Sequence, residues 1–336
     1  MTLAIHSLRK IIPHIRYFDV SMRDGLQSLS KIYTLPEKQI MLDTIMKTHK
    51  PHALEIGSIV SPKILPQMDN SYELYQYANT IYNKNSIYNR VTKSNMINYI
   101  YYPCDFYLLV PPTKKYLDKA QHLNIKNISL ITSVSEEFQR KNINQSIQET
   151  KDNIKNVLKI PGTFDNVKLY VSCITHCPIS GKQDNNHILN ELYEYLEIDG
   201  INEICISDTC GTMKQKDFIY IIDNLSKKMK NMNMNTKMDK LSLHLHMNEN
   251  DSKDSIDSKD SKDSKDSKDS KDSNEFIDNS NVDTIIEYAL INNIHKFDVS
   301  SLKNSGGCSI TITDRTKLNG NLTYDRLNEN IYDYYM

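Results

Sequence analysis

The sequence predicts an α/β fold, a TIM (β/α)8 barrel, because short β-rich runs alternate with helical stretches along most of its 336 residues. Eight such runs can be counted, and a single barrel of roughly 250 residues with insertions fits this length. A doubly wound open sheet is the alternative with the same alternation, and the count of eight favours the barrel. No stretch approaches the roughly 20 apolar residues of a membrane span, so we expect no membrane association.

The predicted strands are short runs rich in apolar, β-branched or aromatic residues. In chain order they are Tyr17–Val20, Ala53–Ser58, Phe106–Val110, Ile128–Thr132, Lys168–Cys173, Glu203–Ser207, Leu241–His246 and Lys296–Ser300. Segments with helical periodicity lie between them, such as Glu37–Thr48, Lys114–Leu123, Ser146–Leu158, His187–Leu196, Lys216–Met229 and Val282–Asn292. We therefore predict one barrel domain over residues 17–336, preceded by an N-terminal extension, residues 1–16.

A low-complexity loop at 250–280 interrupts this domain. Asp251–Ser273 is a Ser-Lys-Asp repeat whose eight Asp and six Lys nearly cancel, and Ile256 is its one apolar residue. Such a segment cannot bury enough apolar surface to offset its ordering entropy, so we predict a disordered insertion after the seventh strand. We interpret it as a tolerated expansion, with phosphorylation or weak Ca²⁺ binding as the functional alternatives.

The amino-acid composition indicates which binding partners and which cellular compartment to expect. The formal net charge is −1, so no basic field recruits nucleic acid or an anionic membrane. Six scattered cysteines do not make a disulfide framework in a chain of this size, and we predict the cytoplasm rather than the mitochondrion. Cys173 with Cys177, and Cys205 with Cys210, could be zinc pairs, although the usual Cys/His spacing does not accompany them.

The most informative motif is His244-Leu245-His246, at the end of the seventh predicted strand. Side chains two residues apart on a strand share a face, so the two imidazoles can converge on one point. Convergent neutral imidazoles are the commonest start of a metal site, but a structural histidine pair is the alternative for this triplet alone.

Further polar residues stand at the ends of other predicted strands, where a TIM barrel places its functional groups. Arg23 and Asp24 follow the first strand, and they could serve an oxyanion and a metal or form a surface ion pair. Glu55 lies within the second strand, where an unpaired carboxylate would be expensive. Asp208 follows the sixth strand, and Gly306-Gly307-Cys308 follows the eighth.

Together these motifs resemble the 3-hydroxy-3-methylglutaryl-CoA lyase family, metal-dependent TIM-barrel lyases with an Arg-Asp-Gly signature. The matching segments occur in family order from near residue 17 to near residue 328. They are Arg23-Asp24-Gly25-Leu26-Gln27, Val60-Ser61-Pro62-Lys63, Pro66-Gln67-Met68, Glu137-Phe138, Lys141-Asn142-Ile143-Asn144, Tyr170-Val171-Ser172-Cys173, Cys177-Pro178, Gly181-Lys182, His244-x-His246, Gly306-Gly307-Cys308 and Gly320-Asn321-Leu322.

The resemblance implies a role for each matched residue. A divalent metal, Mg²⁺ or Mn²⁺ in preference to Zn²⁺, would be bound by Asp24, His244, His246 and Asn321. Arg23 would stabilise an enolate oxygen and Cys308 would protonate its carbon, while Glu55 and Asp208 would complete the catalytic set. Substrate-binding positions would be Arg23, Gln27, Ser58 and Lys182.

The implied activity is retro-Claisen cleavage of 3-hydroxy-3-methylglutaryl-CoA to acetyl-CoA and acetoacetate. The Gly-Gly-Cys segment favours cleavage over condensation, since condensing relatives are expected to carry a Glu-containing loop there. The alternatives are a related acyl-CoA lyase or condensing enzyme, or an inactive metal-binding barrel. We expect an acyl-CoA substrate as the partner, and we consider a homodimer as the oligomeric state.

Overall fold

The computed structural model describes residues 14–82, 104–231, 235–248, 282–307, 310 and 318–335. Cys308 and the Ser-Lys-Asp repeat lie outside these residues, as do residues 1–13. The domain boundaries and the disorder of the repeat therefore stay predictions.

Eight parallel strands close into a barrel in the order β1-β8-β7-β6-β5-β4-β3-β2, which confirms the predicted TIM barrel. The strands are β1 (Arg16–Asp19), β2 (Ala53–Ser58), β3 (Asp105–Leu109), β4 (Asn127–Ser133), β5 (Asn166–Ser172), β6 (Glu203–Ser207), β7 (Leu241–His244) and β8 (Lys296–Val299). Each lies within two residues of its predicted bounds. The open-sheet alternative is wrong because β8 pairs in parallel with β1 and closes the sheet.

Nine α-helices of eight or more residues lie in the described part of the chain. They are α1 (Leu35–Thr48), α2 (Ser71–Tyr82), α3 (Lys114–His122), α4 (Glu136–Ile143), α5 (Ile147–Leu158), α6 (Asn185–Leu196), α7 (Gln215–Asn231), α8 (Val282–Ile291) and α9 (Tyr324–Tyr335). Capping boxes begin α1, where Thr34 pairs with Glu37, and α5, where Ser146 pairs with Glu149. Among the described helices, none is long and apolar enough to cross a membrane.

Two short antiparallel pairs extend from the carboxyl-terminal ends of the barrel strands. His176–Cys177 pairs with Gly181–Lys182, and His246–Asn248 pairs with Leu318–Asn321. The sequence predicts one strand running through His246, whereas β7 ends at His244. The chain leaves the barrel there because the Leu245 carbonyl accepts a hydrogen bond from the Leu322 N–H at 3.0 Å, outside the barrel ladder. His246 thereby becomes the register partner of Asn321.

Candidate active site and metal centre

Asp24, His244 and His246 converge at the carboxyl-terminal mouth of the barrel. One potential ligand atom from each lies within 4.8 Å of the others, and all three residues are buried. The Asp24 Oδ2 atom is 3.9 Å from His244 Nε2 and 3.7 Å from His246 Nε2. These separations exceed a hydrogen bond, so the three atoms surround a common point without bonding to each other.

A wide helical turn after β1 places Asp24 in this cluster. Over Ser21–Gly25 the backbone forms a π-helical turn, in which the Gly25 N–H donates to the Val20 carbonyl at 3.1 Å. Isolated π turns of this kind often occur at functional sites, since they re-aim side chains. Burial disfavours the Asp24 carboxylate, but the Arg23 charge and the two imidazoles hold the pKa of Asp24 well below its usual range.

His246 is oriented by a main-chain acceptor. Its Nδ1 lies 2.8 Å from the Asp208 carbonyl oxygen, so Nδ1 carries the proton and Nε2 presents a lone pair. Within the described structure, that buried Nε2 has no hydrogen-bond partner. Burial opposes the charged imidazole, yet Asp24 outweighs it and raises the pKa of His246.

Asn321 places further polar side-chain atoms without hydrogen-bond partners at the same end of the barrel. Its side chain is buried, and neither Oδ1 nor Nδ2 finds a partner among the described residues. The backbone holds the residue in place, because the Asn321 N–H donates to the Ser305 carbonyl at 2.8 Å. An unsatisfied buried amide is costly in a folded protein unless a ligand completes it.

The donor set fits a divalent cation. Asp24 offers a carboxylate oxygen, Asn321 an amide oxygen, and the two histidines offer Nε2 atoms. Mixed oxygen and imidazole ligation suits Mg²⁺ or Mn²⁺ and also accepts Zn²⁺. Because His246 and Asn321 otherwise carry unpaired buried polar atoms, the residues present fit the metal that the sequence predicts.

Arg23 is fixed beside this group by two acids. Its Nη1 donates to Asp24 Oδ1 at 2.6 Å, and its Nε donates to Glu55 Oε2. The guanidinium also lies 5.4 Å from the centre of the Tyr170 ring. Burial opposes the charge, but Glu55 and Asp24 hold the pKa of Arg23 well above its usual range. The structure thus brings Glu55 into the site as the partner of Arg23, with its Oε1 buried and unpartnered among the described residues.

The glycine pair after β8 contacts the cluster through its backbone. The Gly307 N–H donates to Asp24 Oδ2 at 3.0 Å, and the Gln27 amide donates to the Gly307 carbonyl at 3.1 Å. The Gly306 N–H donates to Ser28 Oγ at 2.8 Å. Cys308 itself lies outside the described residues, but the residue before it touches a candidate metal ligand.

The other predicted site residues have structural partners of their own. The Asp208 carboxylate is buried and accepts from the N–H groups of Thr212 at 3.1 Å and Met213 at 3.0 Å. Burial raises its pKa. The Ser58 hydroxyl donates to the Leu109 carbonyl at 2.9 Å. Lys182 is exposed on the short hairpin, 3.4 Å from Asp217 Oδ1.

Sequence reasoning missed Asp298 and Lys168. Asp298 Oδ2 lies 3.0 Å from His244 Nδ1, and Asp298 Oδ1 lies 2.5 Å from Lys168 Nζ. Burial disfavours the carboxylate, but Lys168 and the His244 hydrogen bond lower the pKa of Asp298. The available signal was a charged residue inside each of two predicted apolar strands, which is costly without a partner.

The cysteine pairs considered above as zinc ligands belong to no second metal centre in the described part of the structure. Within that part, Asp24, His244 and His246 are the one group of three or more His, Cys, Asp or Glu residues whose ligand atoms converge. Cys173, Cys177, Cys205 and Cys210 are buried there and are not disulfide-bonded.

A sequence model of the HMGL-like family matches residues 14–251, well over half of the chain. The chain belongs to the HMGL-like family. The mitochondrial hydroxymethylglutaryl-CoA lyase of Rattus norvegicus is 28% identical over 206 residues, 61% of this chain and 56% of that protein. The 3-hydroxy-3-isohexenylglutaryl-CoA/hydroxymethylglutaryl-CoA lyase of Pseudomonas aeruginosa is 27% identical over 198 residues, 59% of this chain and 58% of that protein. The chain thus spans little more than half the length of these two relatives.

Solved structures support the family's barrel over a longer stretch. The HMG-CoA lyase from Brucella melitensis superposes with a TM-score of 0.68 at 20% identity, covering 95% of this chain and 90% of that one. An HMG-CoA lyase from Acinetobacter baumannii, in complex with coenzyme A and 3-methylmalate, gives 0.65 at 18% identity, covering 93% and 81%. At these identities the likeness shows the fold.

Proposed function

We propose that the protein is a metal-dependent carbon–carbon lyase that cleaves 3-hydroxy-3-methylglutaryl-CoA to acetyl-CoA and acetoacetate. One observation carries the proposal: the buried Asp24, His244 and His246 converge beside Arg23 at the barrel mouth. Membership of the HMGL-like family and the curated lyase relatives support the same reaction class.

The metal would be held by Asp24, His244, His246 and Asn321, and Mg²⁺ or Mn²⁺ is the identity we propose. Bound there, the cation would lower the pKa of the substrate's tertiary hydroxyl and polarise a neighbouring oxygen. The protein's own contribution is to present two Nε2 lone pairs and a carboxylate whose pKa is held low. The Asp24 carboxylate is therefore ionised, as metal ligation requires.

Arg23 would stabilise the negative charge that develops as the C2–C3 bond breaks. The electron pair of that bond passes to the acetyl-CoA fragment, whose enolate oxygen needs a fixed cation. Glu55 and Asp24 hold the guanidinium at two of its nitrogens, so the group need not reorient when negative charge develops on the enolate oxygen. We assign Glu55 as the positioning residue for Arg23.

Cys308 would return a proton to the enolate carbon and so complete acetyl-CoA. Its neighbour Gly307 hydrogen-bonds to Asp24, which supports placing the thiol near the metal centre. Gln27 would bind this segment, because its amide reaches the Gly307 carbonyl. A general base takes the substrate's hydroxyl proton.

The acyl-CoA partner is supported by the relatives, one of which was solved in complex with coenzyme A. Exposed Lys182 is the cation we propose for the anionic end of the substrate, and Ser58 for its polar groups. Asp208 stays a proposed member of the catalytic set. A Pseudomonas aeruginosa relative is named for 3-hydroxy-3-isohexenylglutaryl-CoA as well, so bulkier 3-hydroxyacyl-CoA thioesters belong in the substrate panel. The cytoplasmic location and the homodimer stay predictions.

The decisive experiment is cleavage by purified full-length protein. With Mg²⁺ or Mn²⁺ it should release acetoacetate from 3-hydroxy-3-methylglutaryl-CoA, followed by coupled NADH oxidation. Cys308→Ala should lower kcat by about 100-fold or more, the range typical of a lost general acid. Cys104→Ala, at the opposite end of the barrel, is the matched control and should leave the rate unchanged. Bound metal without cleavage of any panel substrate would refute the lyase and favour a metal-binding barrel.

A further inference from the structure

A buried ion pair lies inside the barrel directly beneath His244. Lys168 of β5 and Asp298 of β8 are each 1% exposed, and their Nζ and Oδ1 atoms are 2.5 Å apart. Lys168 also lies 2.7 Å from Glu203 Oε1 and 3.7 Å from the centre of the Phe18 ring. The ammonium is therefore surrounded by partners that compensate its burial.

The two oxygens of Asp298 serve different partners. Oδ1 accepts from Lys168, whereas Oδ2 lies 3.0 Å from His244 Nδ1 and accepts weakly from the Cys205 thiol at 3.8 Å. A carboxylate has no proton to give, so His244 Nδ1 must be the donor. The proton on Nδ1 leaves Nε2 with its lone pair, on the side of the ring that faces Asp24.

We infer that Asp298, backed by Lys168, is a positioning residue that fixes the Nδ1–H form of His244 and keeps its Nε2 free for a metal. This inference rests on the metal centre of the proposed function and is independent of lyase activity. Carboxylates that accept from a ligating histidine orient the ring and select its tautomer. Lys168 acts one step further away, because it occupies Oδ1 and leaves only Oδ2 for the imidazole.

The arrangement makes an unusual prediction for Asp298→Asn. The amide oxygen must accept from Lys168, so the NH₂ group then faces His244 Nδ1. An N–H donor there forces Nδ1 to carry a lone pair and moves the proton to Nε2, which blocks metal binding. In Asp298→Asn with Lys168→Met, the amide can turn its oxygen toward Nδ1, and the original tautomer should return.

The test measures the tautomer and metal affinity separately. Long-range ¹H–¹⁵N spectra of metal-free protein, with His244 assigned by His244→Gln, report which nitrogen is protonated. Titration with Mn²⁺, followed by electron paramagnetic resonance, gives the Kd. We expect Asp298→Asn to move the proton to Nε2 and raise the Kd about 10- to 100-fold, and the double variant to regain most of both.

Glu191→Gln is the matched control. Glu191 pairs with buried Lys151 at 2.9 Å on the outer helices α6 and α5, so this variant should lose stability but keep the Mn²⁺ Kd. The inference is overturned if folded Asp298→Asn keeps Nδ1–H and a Kd within twofold of wild type. It is also overturned if the double variant regains neither property. Wild type that binds no Mn²⁺ would refute the proposed metal centre, while the tautomer spectra would still decide the role of Asp298.

Discussion

Gly306→Ala is the substitution that tests Asn321 as a metal ligand most directly. Gly306 has a φ of +122°, and a Cβ atom added to it would overlap the Asn321 side-chain amide. The backbone on both sides is held by hydrogen bonds, from Gly306 N–H to Ser28 Oγ and from Asn321 N–H to the Ser305 carbonyl, each at 2.8 Å. The unpartnered amide is the part that must move.

Two effects of different kind are expected from Gly306→Ala. A side chain in this backbone region costs about 1–3 kcal/mol of stability, whatever space surrounds it. Displacing the Asn321 amide from the metal should weaken Mn²⁺ binding about 10- to 100-fold or more, because removal of a residue that only supports a metal ligand already costs about that much. That change in Kd corresponds to about 1.4–2.7 kcal/mol.

Gly162→Ala separates the two effects. Gly162 also has a positive φ, +74°, but no atom lies within 4 Å of the added Cβ position. Urea unfolding should show a loss of about 1–2 kcal/mol for this control, from left-handed strain alone. Electron paramagnetic resonance titration should show wild-type Mn²⁺ affinity for Gly162→Ala and weakened affinity for Gly306→Ala. If Gly306→Ala loses stability but binds Mn²⁺ within twofold of wild type, Asn321 is not a ligand.

Two further outcomes follow from other parts of the chain. Asp19 is fully buried, and burial raises its pKa from 3.8 to about 6, so the folded state holds this proton more tightly than the unfolded chain does. The protonated carboxyl group stabilises the folded state fully below about pH 4, and this contribution of about 3 kcal/mol is lost as the pH rises to about 6. The difference in unfolding free energy between wild type and Asp19→Asn should therefore change by that order between pH 4 and 7. A constant difference would contradict this prediction. Deleting residues 251–273 should leave the melting temperature measured by circular dichroism and the Mn²⁺ Kd unchanged, because the repeat has almost no apolar side chain to bury. Loss of both the cooperative melt and Mn²⁺ binding would show that the repeat is not a passive insertion.

The barrel strands could be predicted because each is a short apolar run between helical segments. Helices were harder where packing is sparse: in α4 only Phe138 and Gln139 are buried, so its eight residues show little periodicity. Helix α2 buries Leu74, Tyr75 and Ala78, but the many tyrosines around them blur the pattern of apolar positions. These segments form helices through tertiary contacts that a local pattern does not show.

The motifs identified the residues that converge in the candidate metal centre, but not the contacts that support them. His246 and Asn321 meet in a short antiparallel strand pair whose partners are 75 positions apart, and the low-complexity insertion lies between them. Lys168 and Asp298 are 130 positions apart and meet only because β5 and β8 face one another across the barrel interior. A sequence shows that a buried charge needs a partner, whereas the closed barrel decides which partner it meets.

The charges buried at the mouth and beneath it explain why a dication suits this site. Arg23 and Lys168 are cations, and their ion-pair partners Asp24, Glu55, Asp298 and Glu203 are carboxylates, so the ion-paired set carries a net charge of −2. In the metal centre proposed above, one divalent cation would neutralise that charge without any protein group changing its protonation state. An enolate that develops there would then be stabilised by Arg23 and the dication without an excess of surrounding negative charge. We therefore expect the proposed substrate, with its distal carboxylate, to bind more weakly to the metal-free protein than to the metal-loaded protein.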